Sequence, residues 1–382
     1  MRPSHTATLG LAALGDADLA ELVAAQLGVP EAVVLSSVVE AHPYDRPAIT
    51  TAGRHVVTGT ARTPDGETRA FRFFVKVIQA YHRSPLRFAV PEPLRAAAAA
   101  VVPWRTEADL YRSDLRDRLP AGLTAPRAFA VRELEADSAA LWLEQVPLRP
   151  ATWGPATYRR AAYLLGRFAA SRAIAPLVTA VHGARTPRVY ADGRLAGVVR
   201  PAFDGPDLWA HPLVRESFDH DLRRRLDAAF EALPDLLAEL DDTPVAAAHG
   251  DACPANLLLA ADRPELVLVD FGFCGRAPLG TDLARLVTSE IQTGHRGVAD
   301  LLGLDDACLD SYAAGLSAEG GRVRTARLRR SHAILMTVFT ALSAVPVEHL
   351  GADPTAELRR ETHARAAVAR FVLDRLATAR DR

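Results

Sequence analysis

The sequence predicts an α+β fold with two lobes, a smaller lobe built on a sheet and a larger lobe built from helices. Strand-like runs dominate the 382-residue chain up to about residue 146, and helical patterns dominate after Pro147. The composition, 49% hydrophobic and 24% charged, is that of a globular protein with ample core material. We therefore expect an N-terminal lobe over residues 1–146 and a C-terminal lobe over residues 147–382.

The N-terminal part is predicted to be a small antiparallel sheet with one or two helices packed on it. Asp16 is a candidate N-cap for a first helix over residues 16–28. The turn Thr63-Pro64-Asp65-Gly66 joins two strand-like runs as a hairpin. The predicted strands are 33–39, 56–61, 69–78 and 140–146, and a helical stretch at 93–118 precedes the last of them.

The C-terminal part is predicted to be helical apart from one hairpin. Its strands, 256–260 and 266–270, are joined by the turn Asp262-Arg263-Pro264. The predicted helices are 155–174, 219–240, 282–292, 307–317, 324–345 and 355–378.

Bulk properties exclude several classes of protein. A formal net charge of −1 gives no overall field that favours nucleic acid. No apolar run approaches the roughly 20 residues of a membrane helix, and acids interrupt the N-terminal segment where a signal peptide would be apolar. Three cysteines do not form a disulfide framework. We expect a cytoplasmic protein with neither nucleic-acid nor membrane partners.

Lys76 is the only lysine among 45 cationic residues, so one position requires the shape of lysine. Arginine is a wide planar fork, whereas lysine is a compact ammonium on a thin stem. Lys76 lies in the apolar strand-like run 71–78, where a charge needs a partner or a ligand. The alternative is an edge-strand lysine whose ammonium reaches water.

Two common nucleotide-binding motifs are absent. A Walker A loop needs Gly before its Lys and Ser or Thr after it, but Lys76 stands between Val75 and Val77. No GxGxxG follows a strand, which argues against a Rossmann site.

Glu107 is the expected partner of Lys76. It lies on the same helical face as the apolar stripe Trp104, Ala108, Tyr111 and Leu115. A buried glutamate without a partner is costly, so pairing with Lys76 is the economical interpretation. The alternative is a marginal Glu107 paired with an arginine.

One constellation predicts phosphoryl transfer. The run 249–257, HGDACPANL, is followed by 266–272, LVLVDFG, and the hairpin between them brings Asp251, Asn256 and Asp270 to one end. Asn256 and Asp270 supply the hard oxygen ligands that suit Mg²⁺ against a nucleotide's phosphates. Asp251 is placed to accept a proton from a hydroxyl, and Lys76 supplies the cation on the phosphates.

These motifs resemble a known family. HGDxxxxN, followed nineteen residues after its aspartate by DFG, resembles the core of the protein-kinase-like fold, and its HGD form resembles the aminoglycoside phosphotransferase and choline kinase group. Residues 104–111 resemble the glutamate-bearing helix of that group, residues 141–146 its interlobe hinge, and residues 278–284 the turn after its metal site. The stretch 49–54 departs from the protein-kinase pattern, because it has one glycine where those kinases have a glycine-rich loop.

The resemblance implies a role for each matched residue. Asp251 would be the catalytic base, Asn256 and Asp270 would bind Mg²⁺, and Lys76, backed by Glu107, would contact the α- and β-phosphates of ATP. The backbone from Glu144 to Val146 would meet the adenine, and Phe74, two residues before the lysine, would cap it. His249 and Asp282 would brace the catalytic loop.

The sequence thus predicts a Mg²⁺-dependent kinase that transfers the γ-phosphate of ATP to a hydroxyl of a small molecule. The alternatives are an antibiotic-inactivating phosphotransferase of the aminoglycoside type and a catalytically silent nucleotide-binding module. Eleven acids in residues 204–242 are either a site for a polycationic substrate or a solvated helix face. Cys253 and Cys274, which follow Asp251 and Asp270, are either regulatory thiols or small buried side chains.

Overall fold

The computed structural model describes residues 8–43, 48–90, 92, 95–150, 153–181, 186–294, 296–299 and 301–379. The chain divides into two compact units. The first unit contains the chain up to Asp117, together with Thr124–Arg149 and the short segment Ala260–Arg263. The second unit contains Arg118–Leu123, Pro150–Leu259 and the chain from Pro264 onward. The functions expected for the two predicted lobes, nucleotide binding for residues 1–146 and catalysis for residues 147–382, stay predictions.

The first unit is built on a five-stranded antiparallel sheet with the strand order β1-β2-β3-β6-β5. The predicted hairpin at residues 63–66 is present and joins β2 to β3. Ala128–Glu135 is an edge strand that the sequence analysis did not identify. The strands of this sheet are β1 Val33–Ala41, β2 Thr51–Arg62, β3 Thr68–Gln79, β5 Ala128–Glu135 and β6 Ser138–Glu144, whereas β4, Leu123–Thr124, belongs to a separate three-stranded sheet.

Side chains on the two faces of β3 enter different apolar clusters. Phe73 and Val75 pack in one cluster with Leu19 and Val23 of helix α1 (Asp16–Leu27). Ile78, on the opposite face, packs in the other cluster, which includes Ala108. This alternation follows from the two-residue period of a strand. The N-cap of α1 is Gly15, so the assignment of Asp16 as N-cap was wrong; Asp16 stands in the first turn, where a carboxylate favours the helix dipole.

The stretch predicted as one helix over 93–118 is three short helices, α2 Arg95–Val101, α3 Thr106–Arg112 and α4 Leu115–Arg118; residues 93 and 94 lie outside the described part. Pro103 explains the first break, because proline disfavours helical backbone in the residue before it. Ser113 makes the second break. Its hydroxyl donates to the Leu110 carbonyl at 2.7 Å and accepts from the Leu115 N–H at 3.2 Å.

The second unit is mainly helical. The predicted helix 219–240 is interrupted before Pro234, which stands at the N-terminus of the following helix. The predicted helix 324–345 becomes a π-helix at Thr337. Its helices are α5 Pro155–Ala170, α6 Ala175–Ala180, α7 Pro187–Tyr190, the π-helical segment Ala191–Val199, α8 Arg200–Asp204, α9 Pro206–Ala210, α10 Pro212–Ser217, α11 His220–Glu231, α12 Leu233–Asp241, α13 Thr281–Gln292, α14 Leu301–Ala318, α15 Thr325–Met336, the π-helical segment Thr337–Ala341 and α16 Ala356–Thr378.

A buried carboxylate ties α14, α15 and α16 together. Asp305 of α14 is fully buried, accepts a hydrogen bond from the His332 ring of α15 at 2.6 Å and pairs with Arg375 of α16 at 2.7 Å from its Nε. Arg375 also pairs with Asp306. Burial alone would raise the pKa of the Asp305 carboxyl, but His332 and Arg375 outweigh it and hold that pKa below its usual value.

Two small ribbons lie outside the five-stranded sheet, one of two strands and one of three in the order β4-β9-β8. The predicted hairpin is present, with β8 (Leu257–Leu259) paired to β9 (Leu266–Leu268), although both strands are shorter than expected. The other ribbon pairs β7 (Val245–Ala248) with β10 (Gly275–Pro278). The sequence analysis missed it because an alanine-rich run lacks the alternating pattern of a strand. Nowhere in the described residues is a helix long and apolar enough to cross a membrane.

Candidate phosphoryl-transfer site

Lys76 and Glu107 form the ion pair that the sequence predicted. The Lys76 Nζ lies 2.5 Å from Glu107 Oε2, and both side chains are at most 5% exposed. Lys76 comes from β3, which is an interior strand between β2 and β6, and Glu107 comes from α3. The alternatives of an edge-strand lysine and of a marginal glutamate paired with arginine are therefore excluded. The pairing offsets part of the cost of burying the two charges and fixes the direction of the lysine side chain.

Phe74 and the segment 144–146 lie in the same unit. The Phe74 ring is half-buried and packs against the apolar cluster that contains Ile78 and Ala108. It meets the His42 ring edge-on, with 5.5 Å between the two ring centroids. The Glu144 carboxylate is held by the Arg263 guanidinium and by the Arg127 N–H at 3.1 Å. The Val146 side chain is buried. The Glu144 side chain is thus part of a structural ion pair, and any recognition of a base at this segment falls to its backbone.

The catalytic-loop candidate, residues 249–256, runs from β7 to β8 and is braced from its first two residues. Asp282, in the first turn of α13, accepts hydrogen bonds from the His249 and Gly250 N–H groups, both at 2.8 Å. The ring of His249 donates from Nε2 to the Val269 carbonyl at 3.0 Å, which leaves Nδ1 to accept the Asp251 N–H. Burial raises the pKa of the Asp282 carboxyl, against the opposing effect of His249 and the two N–H groups.

Gly250 is required by the backbone of this loop. Its φ is +83°, a region that residues with a Cβ rarely adopt, and a Cβ at this position would collide with the Phe273 carbonyl oxygen. The middle position of the HGD motif therefore admits only glycine without a shift of the neighbouring chain.

Asp251 is held from both oxygens. Its Oδ1 accepts from Arg285 Nε at 2.8 Å, and its Oδ2 accepts from Asn256 Nδ2 at 3.2 Å. The Asn256 amide also donates to the Asp251 carbonyl at 2.9 Å. The Asp251 side chain is 22% exposed, so the carboxylate is oriented but still accessible to an acceptor.

Arg285 is a member of the candidate site that the sequence analysis missed. It lies three residues after Asp282 on α13, so the helix that braces the loop also presents a cation to Asp251. The spacing Asp282-Leu283-Ala284-Arg285, which puts both residues on neighbouring positions of one helix face, is the signal that could have found it. The paired Asp251 carboxylate in turn raises the pKa of the guanidinium.

Asp270 has an unusual backbone. Among the described residues it is the only one other than glycine with a positive φ, at +64°. Aspartate tolerates this left-handed conformation better than most residues, and such conformations cluster at functional sites. The Val269 N–H donates to the Asn256 carbonyl at 3.1 Å, so the hairpin places Asp270 and Asn256 at the same end, as predicted.

The donor set at this end fits a magnesium ion. The Asn256 amide nitrogen is committed to Asp251, so the side-chain oxygen is the atom left for a cation. In the described residues no group of three or more His, Cys, Asp or Glu side chains could hold a metal ion. Mg²⁺ on a nucleotide usually takes only one or two protein ligands, with phosphate oxygens and waters completing its shell, so Asn256 and Asp270 suffice.

The two weaker signals have structural explanations. Burial, and then Asp251, raise the pKa of the Cys253 thiol to about 11, and burial raises the pKa of Cys274, so both are protonated at neutral pH. The acids of residues 204–242 are largely neutralised, because seven of the eleven pair with arginines. These pairs are Asp204 and Asp227 with Arg200, Glu216 with Arg359, Asp219 with Arg370, Asp221 with Arg224, Glu239 with Arg330 and Asp241 with Arg188.

Comparison with known proteins agrees with the motifs. A family model described as "Phosphotransferase enzyme family" matches residues 48–328. No curated protein sequence matches the chain. Among solved structures, the chain is similar to a microcompartment-associated aminopropanol kinase, with 14% identity, 89% of this chain and 93% of that chain covered, and a TM-score of 0.52.

It is also similar to an aminoglycoside phosphotransferase from Alicyclobacillus acidocaldarius, with 15% identity, 90% and 91% of the two chains covered, and a TM-score of 0.50. Identities this low establish a shared fold and nothing about the substrate. The family match spans well over half of the sequence and includes Lys76, Glu107, Asp251, Asn256, Asp270 and Arg285, so the chain belongs to the phosphotransferase enzyme family and has its kinase-like α+β fold.

Proposed function

We propose that the protein is a Mg²⁺-dependent kinase that transfers the γ-phosphate of ATP to a hydroxyl group of a small molecule in the cytoplasm. The observation that carries this proposal is the Asp251 carboxylate, which Arg285 and Asn256 orient from both oxygens while leaving it accessible. An oriented carboxylate is the group that a hydroxyl nucleophile needs in phosphoryl transfer.

The proposed reaction divides the work between the residues. The acceptor oxygen forms a bond to the γ-phosphorus, its proton passes to Asp251, and the bond to the ADP oxygen breaks with its electron pair. Lys76, fixed by Glu107, binds the α- and β-phosphates. Phe74 and the backbone of Glu144 to Val146 bind the adenine.

Asn256 and Asp270 hold the magnesium ion in this proposal. When bound, Mg²⁺ neutralises charge on the phosphates. The presence of all five core groups, namely Lys76, Glu107, Asp251, Asn256 and Asp270, supports an active enzyme over a silent nucleotide-binding module.

The test is turnover of γ-labelled ATP with Mg²⁺ and a pool of small metabolites. We expect label to move to an acceptor. Asp251→Asn should lower the rate by at least about 10²-fold while nucleotide binding is retained. Asp242→Asn, an exposed aspartate of the same unit, is the matched control. If Asp251→Asn leaves turnover untouched, the assigned base is wrong; if the protein binds ATP but never transfers label, the silent module is correct.

A further inference from the structure

We propose that the terminal guanidinium nitrogens of Arg285 bind a carboxylate or phosphate group carried by the acceptor, so that the substrate is an anionic hydroxyl compound. The inference rests on the proposed function, because it concerns the acceptor of the same site. It assigns Arg285 as the residue that determines acceptor specificity.

The geometry leaves most of the Arg285 fork unused. Arginine carries five N–H donors, and the contact with Asp251 uses only the one on Nε, at 2.8 Å. Within the part of the chain that the structure describes, no other hydrogen bond or ion pair reaches the Arg285 side chain, which is 28% exposed. The four remaining donors are arranged for bidentate binding of a planar oxyanion, the recognition at which arginine excels.

The groups nearest in effect to the guanidinium, apart from Asp251, are a thiol and a phenol. Besides Asp251, the groups with the largest electrostatic effect on it are Cys253 and Tyr190, and neither is a carboxylate. The Tyr190 hydroxyl shares a 2.7 Å hydrogen bond with Ser343 Oγ, and its ring lies 5.0 Å from that of Phe339.

The helices that carry these two rings are irregular next to them. Tyr190 immediately precedes the π-helical segment Ala191–Val199, and Phe339 lies within the π-helical segment Thr337–Ala341. π-Helical turns are rare and occur frequently at functional sites. Tyr190 links Arg285 to this hydroxyl pair and to the Phe339 ring, and we expect the uncharged part of the acceptor to contact them.

The charge balance disfavours a cationic acceptor. The Asp251 carboxylate already has a guanidinium against it, so an incoming ammonium group would meet the repulsion of Arg285 as well as the attraction of Asp251. The acidic residues of 204–242, the other feature that could hold a polycation, are mostly paired with arginines of the protein itself. An anionic acceptor instead gains the unused donors.

The experiment compares ligands that share one carbon skeleton and differ in charge. Gluconate and glucose 6-phosphate are anionic, through a carboxylate and a phosphate respectively, glucose is neutral and glucosamine is cationic. Binding to the full-length protein, saturated with Mg²⁺ and a non-hydrolysable ATP analogue, is measured by calorimetry, and phosphorylation is measured with labelled ATP. We expect at least one anionic member to bind at least 10-fold more tightly than glucose, and glucosamine to bind most weakly; whether gluconate or glucose 6-phosphate binds more tightly identifies the anion.

Variants assign the preference to Arg285. We expect Arg285→Gln to remove the anion preference and Arg285→Glu to invert it towards glucosamine, while Arg285→Lys, which keeps the charge without the fork, retains part of it. The control is Arg224→Gln, which removes an exposed arginine paired with Asp221 and should keep the full preference. Thermal unfolding of each variant checks that it is folded.

Two results would overturn the inference. One is equal or weaker binding of both anionic members than of glucose by the parent protein. The other is an Arg285→Gln variant that keeps the anion preference and instead weakens nucleotide binding, which would assign the fork to the transferred phosphoryl group. If the parent protein does not bind ATP, the proposed function is contradicted instead. The anion preference can still be measured without nucleotide in that case.

Discussion

The single lysine of the chain, Lys76, meets Glu107 across 31 residues of sequence, with 2.5 Å between Nζ and Oε2 and almost no solvent around either side chain. The other Lys or Arg positions are all arginine, and among the residues that the structure describes Lys76 is the one whose cationic side chain is buried. The wide guanidinium of arginine would have to displace the packed walls of this site, whereas the ammonium fits.

Lys76→Arg should therefore lower phosphoryl transfer by about 10²-fold, because a small displacement of a phosphate-binding cation misaligns the reaction. Steady-state kinetics with labelled ATP checks this. Arg72→Lys, an exposed exchange on the same strand, is the control and should have no effect. A Lys76→Arg variant as active as the parent would show that shape is not what fixes lysine here.

Substitutions in the Lys76–Glu107 pair test its contribution to stability separately from its contribution to activity. Lys76→Met removes the ammonium that pairs with the buried Glu107 carboxylate and should lower the free energy of unfolding by about 3–5 kcal/mol. Adding Glu107→Leu should restore most of that stability, because it removes the uncompensated charge, but it should not restore transfer. Chemical denaturation of the single and double variants measures the difference. Recovery of activity together with stability would mean that Lys76 is a structural residue.

Asn256→Ala should raise the Mg²⁺ concentration needed for half-maximal turnover by about 10-fold or more, because it removes one of two proposed protein ligands. Removal of the metal with EDTA should abolish transfer in the parent, and added Mg²⁺ should restore it. The dependence of rate on Mg²⁺ at saturating ATP is the measurement. An unchanged Mg²⁺ dependence, with only the maximal rate reduced, would assign Asn256 to orienting Asp251 alone.

Gly250→Ala should destabilise the protein by more than about 2 kcal/mol, because a Cβ there combines a left-handed backbone with a collision against Phe273. Gly303→Ala is the matched control. Gly303 lies in α14, where an added Cβ meets nothing within 4 Å, and the change should stabilise by about 0.5–1 kcal/mol. Equal effects of the two substitutions on thermal unfolding would contradict the assigned backbone requirement.

Asp305→Asn should remove stability in a pH-dependent way. The folded-state pKa of Asp305 lies below its unfolded value of about 3.8, so its stabilisation is complete above that pH and is lost as the pH falls through the folded-state pKa. The loss at pH 7 should be about 3 kcal/mol, the lower end for a broken buried pair, because Arg375 keeps Asp306 as a partner.

Unfolding curves between pH 7 and pH 2 test this prediction, and the difference between parent and variant should stay constant down to about pH 5 and then shrink. A stability difference that grows on acidification would show that the direction of the Asp305 pKa shift is wrong.

The sequence was sufficient for the parts of the site that depend on short-range patterns. The HGD and DFG motifs and their spacing predicted which ends of the hairpin meet, and the helical period of residues 104–115 predicted that Glu107 is buried. Both inferences concern regular structure, a hairpin of two strands in the first case and a helix with a 3.6-residue period in the second. A sequence reports such regular patterns directly.

The features that the sequence did not reveal depend on tertiary contacts or on irregular backbone. Arg285 reaches Asp251 because of where α13 packs. Its spacing from Asp282 places the two residues on one face of the helix, but the contact with Asp251 is a tertiary one. The apolar pattern of α15 continues into the π-helical segment at Thr337, so the sequence predicted one regular helix there. The ribbon of β7 and β10 pairs segments 30 residues apart through alanines, which have little strand preference of their own.

The turn Ala260–Arg263 belongs to the first unit although its two strands belong to the second, and its Arg263 holds Glu144. Neither unit is consequently a continuous piece of the gene. Recombination with a relative at a single crossover near residue 149 would deliver a first unit without this turn and would leave Glu144 facing a foreign residue. Exchange of the first unit between members of the family, in evolution or by engineering, would need this four-residue segment to be inherited with the N-terminal piece.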